Sequence, residues 1–127
     1  MPTCLAVIDD ARSFLDLTKS VCEDELGYQT LLLNQGQTAV ERVRRAQPSG
    51  IILDLHLEHP DSGWAILDAV KQDLTLTGIP IIVCSADLRE MQKREKELKR
   101  YHREVMPKPF RLNDMRATLR RLMGSSA

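Results

Sequence analysis

The chain has 127 residues and a mass of 14.4 kDa, enough for one domain that buries roughly two thirds of its unfolded surface without a disulfide or structural metal. It is 43% hydrophobic and 28% charged, which excludes a disordered or fibrous chain, and its uninterrupted apolar runs are too short for a transmembrane helix. The zero net charge hides an asymmetry: residues 1–64 carry 5 Lys/Arg against 10 Asp/Glu, and residues 65–127 carry 13 against 8. One part of the molecule is therefore acidic enough to attract a cation, and another basic enough to prefer an acidic partner. Cys4, Cys22 and Cys84 are odd in number and widely spaced, which fits neither a disulfide framework nor a zinc ribbon. Residues 1–8 lack the basic start and cleavage site of a signal peptide. The expectation is a cytoplasmic protein with a single domain over 1–124 and a short tail at 125–127.

In chain order, the apolar run 5–8 stops abruptly at Asp9-Asp10. Ala11, Phe14, Leu15, Thr18, Val21, Cys22 and Leu26 then form a helical stripe that Gly27 can terminate. The run 30–33 stops at Asn34-Gln35-Gly36, and Val40, Val43 and Ala46 mark a second helix ended by Pro48. The run 51–53 stops at Asp54, and Ile66, Leu67, Val70 and Leu74 mark a third helix ended near Gly78. The run 79–84 stops at Ser85. Leu88, Met91, Leu98, Tyr101 and Val105 fit a fourth, longer helix, although 104–106 before Pro107 also reads as a weak fifth strand. Leu112, Met115, Leu119 and Leu122 fit a last helix, after Pro109 and before Gly124. Apolar runs without polar alternation suit strands buried on both faces. The order βαβαβαβαβα calls for an α/β fold: a doubly wound, five-stranded parallel sheet with right-handed crossovers and helices on both faces.

Ligands of such a sheet bind beyond the carboxyl ends of its strands. The polar residues that end the strands here are Asp9-Asp10, Asp54, Ser85 and, past the fifth, Lys108. A single strand-ending Asp is commonly a cap or turn residue, but caps do not explain five such residues converging from distant parts of the chain. Clustered carboxylates repel one another unless a cation sits among them, and a hard oxygen-seeking ion such as Mg²⁺ suits the set. A hydroxyl and an ammonium facing them would hold phosphoryl oxygens.

Val7-Ile-Asp-Asp10, Ile51-Ile-Leu-Asp-Leu55, Ile79-Pro-Ile-Ile-Val-Cys-Ser-Ala86 and Pro107-Lys-Pro-Phe110, in this order and at these intervals, resemble the receiver domain of two-component response regulators. The resemblance spans about residues 3–123. It implies the flavodoxin-like (βα)5 fold and a stand-alone signalling domain in a phosphorelay, rather than an enzyme acting on a separate substrate. It further implies that Asp54 is the phosphoacceptor, attacking as a carboxylate nucleophile. Asp10 would ligate Mg²⁺ directly and Asp9 through water, with Asp54 and the backbone carbonyl of His56 completing the protein ligands. Ser85 and Lys108 would bind the phosphoryl oxygens. The implied partners are a sensor histidine kinase or histidine phosphotransfer protein and a downstream protein target, with no direct DNA binding and no membrane.

Several residues depart from the family pattern. Gly63 lies nine residues past Asp54 where the family has eight, an insertion beside the metal position. Val105 stands where the family carries its switch aromatic, and Tyr101-His102 replace the Gly-Ala that ends the fourth helix in many relatives. A phosphorylation-independent adaptor on the same scaffold is therefore the alternative. A haloacid-dehalogenase-like phosphatase would want an acid at position 56, which is His, and an inserted cap for which there is no length. His56, His59, Asp54 and Asp61 offer donors for a transition metal, though histidines three apart on a loop seldom share one ion. The charged stretch 89–104 reads as a solvated helical face, with a docking surface as the sharper reading. Arg111, Arg116, Arg120 and Arg121 come without the interleaved aromatics of a nucleic-acid surface. The cysteines read as inert core residues.

Overall fold

The computed structural model describes residues 3–34, 36–55, 62–85, 88–93, 96, 104–107 and 111–123, and of 36–37, 62, 85, 88, 90–91 and 104–107 the backbone. Strands β1 (Cys4–Ile8), β2 (Gln29–Leu33), β3 (Gly50–Asp54), β4 (Ile81–Ser85) and β5 (Glu104–Pro107) form one sheet in the order β2-β1-β3-β4-β5. Every pairing is parallel. The helices are α1 (Arg12–Ser20), α2 (Gly36–Ala46), α3 (Ser62–Gln72), α4 (Leu88–Lys93) and α5 (Leu112–Met123).

Strand alternation splits the interior into two layers. Ala6, Ile8, Ile51, Leu53, Ile81 and Val83 pack with Val43 of α2 and Trp64, Leu67 and Val70 of α3. Leu5, Val7, Ile52, Ile82 and Cys84 pack on the other side with Leu15 of α1 and Met115 and Leu119 of α5. Helices on both faces explain why β1 and β3 read as unbroken apolar runs: Leu5 to Ile8 and Ile51 to Leu53 are all buried.

Helix α1 runs directly into a π-helical turn, Val21–Glu25, whose Leu26 N–H donates to the Val21 carbonyl. The apolar stripe continues through it, with Val21 and Cys22 buried, and Gly27 stops the winding at φ +73°. Ala11 is exposed and caps α1 rather than packing with the stripe. Glu25, at the end of the π turn, accepts two hydrogen bonds from Arg116 of α5, at 2.8 and 3.1 Å. That contact holds the Glu25 carboxyl below its ordinary range and ties together the two helices on this face.

Three expectations change. The third helix ends at Gln72, and Leu74 is 90% exposed in the turn that follows; Leu76 is the buried residue instead. Asp73 causes the break: its carboxylate accepts from the Thr75 backbone N–H and hydroxyl, turning the chain, and from Arg44 of α2 at 2.7 Å. Val105 belongs to β5, paired with Val83, not to the fourth helix. Strand β4 starts at Ile81, two residues later than the apolar run suggests.

Candidate metal and phosphoryl site

The sheet order reverses direction at β1: the chain runs from β1 to β2 on one side, then crosses back over β1 to β3 on the other. Between β1 and β3 the crossovers go to opposite faces, which opens a crevice beyond the carboxyl ends of these two strands. Ile8 and Leu53 are register partners, so the next residues, Asp9 and Asp54, leave adjacent strands at the same level. By strand alternation both continue the α1/α5 side, the side of Val7 and Ile52.

The ladders run past the strands to fix both positions. The Asp9 N–H donates to the Leu33 carbonyl at 3.1 Å, and the Leu55 N–H donates to the Cys84 carbonyl at 3.0 Å. Asp9 is fully buried, and its carboxylate accepts the Ala11 N–H at 2.9 Å, turning the chain into α1. Asp54 is 6% exposed and Asp10 is open to solvent.

Carboxylate oxygens of Asp9, Asp10 and Asp54 lie within 4.8 Å of one another. Two like charges at that spacing repel by about 3 kcal/mol at an effective dielectric of ~20. A divalent cation converts that repulsion into ligation. The donor set is all oxygen, with two buried carboxylates and one at the surface, and this fits a hard ion that keeps part of its water shell. Three residues expected at the site are thus brought together. Ser85 ends β4, opposite Pro107 of β5, at the same pole of the sheet. His56 and Lys108, and with them His59 and Asp61, lie outside the described residues.

Sequence reasoning gave Gly63 a place in the loop but missed what it does. A Cβ at Gly63 would overlap the backbone of Leu55, the residue that follows Asp54. The first turn of α3 therefore presses on the main chain of the site, with Trp64 buried behind it. The available signal was the placement of a glycine just inside a helix start, where a side chain is ordinarily tolerated. The cysteine reading also divides: Cys22 and Cys84 are buried, whereas Cys4 is half-buried at the opposite pole. Burial, and secondarily the neighbouring Glu23, push the Cys22 thiol up to about 12. Among the described residues no helix is long and apolar enough to cross a membrane.

The sequence matches the family described as response regulator receiver domain over residues 5–120. It is 32% identical over 121 residues to the response regulator MprA of Mycobacterium leprae, covering 94% of this chain and 50% of that protein. It is 28% identical over 86 residues to the polar-differentiation response regulator DivK of Brucella anthropi, covering 68% of each. The chain thus spans about half the length of MprA. Among solved structures it is similar to the receiver domain of the Pseudomonas aeruginosa sensor histidine kinase PA1611, whose active-site cleft coordinates a magnesium ion. That match has a TM-score of 0.81 at 21% identity and covers 98% of this chain and 100% of the other. The Vibrio cholerae chemotaxis protein CheY4 matches with a TM-score of 0.82 at 20% identity, covering 96% and 99%. The solved structures share this chain's flavodoxin-like fold, and the family match extends over nearly the whole chain: this protein belongs to the response regulator receiver domains of two-component signalling.

Proposed function

We propose that this chain is phosphorylated on Asp54 in a Mg²⁺-dependent reaction that it catalyses itself, and that it signals through contact with another protein. The observation that carries the reading is the carboxylate triad Asp9, Asp10 and Asp54, drawn within 4.8 Å at the β1/β3 crevice. An Asp54 oxygen forms the new O–P bond as the P–N bond of a phosphohistidine donor, or the P–O bond of acetyl phosphate, breaks. Bound Mg²⁺ supplies neutralisation of the transferring group's charge. Asp10, Asp54 and the His56 carbonyl would hold the ion directly, and Asp9 through water, as the family resemblance implies. Ser85 and Lys108 hold the phosphoryl oxygens, and His56 and Asp87 border the path of the water that later hydrolyses the acyl phosphate. The donor is a sensor histidine kinase or a histidine phosphotransfer protein, and the domain is a single unit over 1–124 acting in the cytoplasm, with no direct contact to DNA or membrane.

Incubation with Mg²⁺ and acetyl phosphate, followed by intact mass, tests this. One phosphoryl group should add to the native chain and to Asp61→Asn, and none to Asp54→Asn. Equal labelling of Asp54→Asn would overturn the assignment. The adaptor reading draws on Val105, a β5 residue too small to swing as an aromatic switch does; it predicts no labelling of any variant.

A further inference from the structure

Strand β2 is an edge of the sheet, paired with β1 alone. The Gln29 N–H donates to the Thr3 carbonyl at 2.7 Å, and the Leu33 carbonyl accepts from the Asp9 N–H. Successive residues of a parallel strand turn their backbone groups to opposite sides. Gln29, Leu31 and Leu33 therefore face β1, while Thr30 and Leu32 direct N–H and carbonyl away from the sheet. Such an edge is a template for another strand, and proteins ordinarily blunt it with a proline, a charge or a bulge. The other edge, β5, begins at Glu104 and ends at Pro107. Strand β2 reads Gln-Thr-Leu-Leu-Leu, with neither charge nor proline, and its register with β1 is unbroken from Gln29 to Leu33.

The two faces that flank this edge specify what pairs with it. Thr30 and Leu32 are register partners of Leu5 and Val7, on the α1 side. There an open groove of about 240 Å³ is lined by Asp16, Lys19, Ser20, Glu23 and Asp24, all exposed. Glu23 accepts from the Thr30 hydroxyl at 2.6 Å, which fixes this stripe beside the edge. Asp16 pairs with Arg12 at 3.4 Å, whereas Glu23 and Asp24 bond only the hydroxyls of Thr30 and Ser20 among the described residues. On the opposite face Leu31 and Val40 are half-buried against the core. A strand laid along β2 sends alternate side chains to these two faces, so cations suit the groove and apolar residues suit Leu31 and Val40. A second copy of this chain does not fit. Antiparallel pairing of β2 with itself has its two-fold axis perpendicular to the sheet, which sets both grooves on one face with Asp16, Glu23 and Asp24 against the same carboxylates of the other copy. Nucleic acids and anionic membranes are repelled by the same charges.

We propose that an extended segment of a partner protein, with Lys or Arg at alternate positions and apolar residues between them, adds to the sheet along β2. The outward backbone groups of Thr30 and Leu32 supply its hydrogen bonds, and Asp16, Glu23 and Asp24 its charge complement. Strand β1 separates this edge from β3 and Asp54, so the test uses the full chain with Mg²⁺ and no phosphoryl donor, and its outcome is independent of Asp54 labelling. The probe is a fluorescein-labelled peptide alternating lysine and valine; its comparison has the same composition with the lysines and valines segregated. By fluorescence anisotropy the native chain should bind the alternating peptide more tightly than the segregated one, and more weakly as salt rises. In amide hydrogen exchange followed by NMR, saturating peptide should slow Thr30 and Leu32 by about tenfold or more, while Leu31, already bonded to β1, changes little. Asp16→Asn/Glu23→Gln/Asp24→Asn should weaken binding on the order of tenfold through the loss of exposed ion pairs, whereas the charge-matched Glu41→Gln/Asp68→Asn/Asp114→Asn should bind as the native chain does. Thr30→Pro removes an outward N–H and none that faces β1, so it should lose binding; the carboxamide variant and the native exchange data decide the matter if Thr30→Pro does not fold. No binding, equal affinity for the segregated peptide, binding without protection of Thr30 and Leu32, or equal weakening by the charge-matched variant would overturn the proposal. So would protection of those two amides that rises with protein concentration in the absence of peptide, which would make a second copy the occupant.

Discussion

Gly63→Ala tests whether the wall behind Asp54 is as tight as the structure requires. The new methyl would overlap the Cα, C and O atoms of Leu55, so either α3 or the main chain after Asp54 must move by about 1 Å to restore ordinary carbon–carbon separation. Overpacking a tight site costs about 1–3 kcal/mol. The upper end applies here, because the obstacle is backbone between two anchored segments: Leu55 is bonded to Cys84, and Trp64 is fixed in the core. About 3 kcal/mol lowers the Tm of a domain this size by roughly 10 °C. A displacement of about 1 Å at Leu55 also misaims the neighbouring carboxylate, which can cost on the order of 100-fold in rate. Gly50→Ala is the internal control. Its Cβ would meet the thioether end of Met123, a flexible tip that can swing aside for under about 1.5 kcal/mol. Thermal unfolding by circular dichroism and initial rates of acetyl phosphate labelling measure both effects. If Gly63→Ala melts within a degree or two of the native chain and labels at the same rate, the close approach does not constrain the site.

Trp64 follows Gly63 and is buried behind the site, so its fluorescence should change on Mg²⁺ addition, and Asp10→Ala should abolish the change; a response that survives places the ion elsewhere. The Thr18 hydroxyl is buried without a partner among the described residues, so Thr18→Val should stabilise by about 1 kcal/mol, read as a Tm gain of a few degrees; a lower Tm would mean that the hydroxyl is satisfied. The Thr75 hydroxyl, then Arg44, hold the Asp73 carboxyl down from 3.8 to about 2. The stability this contributes is complete above about pH 4 and lost as pH falls towards 2, so Asp73→Asn should lower the Tm near neutrality and flatten the Tm–pH curve between about pH 4 and 2, the two proteins converging at the acid end. Cys4 should react with a thiol reagent at pH 8 before Cys22 or Cys84, because it alone of the three is not fully buried; earlier loss of Cys22 would contradict its packing.

The parts of this fold that were readable in the sequence are those governed by burial on both sides. The runs ending at Ile8 and Leu53 contain no polar alternation, because helices cover both faces of their strands; the run ending at Leu33 lies on the edge strand β2 and is only partly buried. The parts that were not readable depend on local hydrogen bonding that competes with a periodic pattern. Leu74 keeps the helical spacing of Ile66, Leu67 and Val70, yet Asp73 turns the chain with Thr75 before that position is reached. The π turn at Val21–Glu25 preserves the apolar stripe, so nothing in the spacing separates it from an ordinary helix. Val105 satisfied both a helical and a strand pattern, and its pairing with Val83 decides between them.

The carboxylate cluster follows from the same logic one level up. Each of Asp9, Asp10 and Asp54, alone, is the kind of residue that ends a strand for reasons of chain geometry. Strand order supplies the missing constraint, because only β1 and β3 are neighbours whose connections leave in opposite directions. Register then places Asp9 and Asp54 at one level, and alternation places them on one side. Charge repulsion at 4.8 Å is a cost the fold could relieve by turning Asp54 towards solvent, but the chain instead fastens the flanking residues with ladder bonds to Leu33 and Cys84. An all-oxygen cluster held this closely could hold a divalent cation, and Asp10, its exposed member, is the carboxylate that faces solvent.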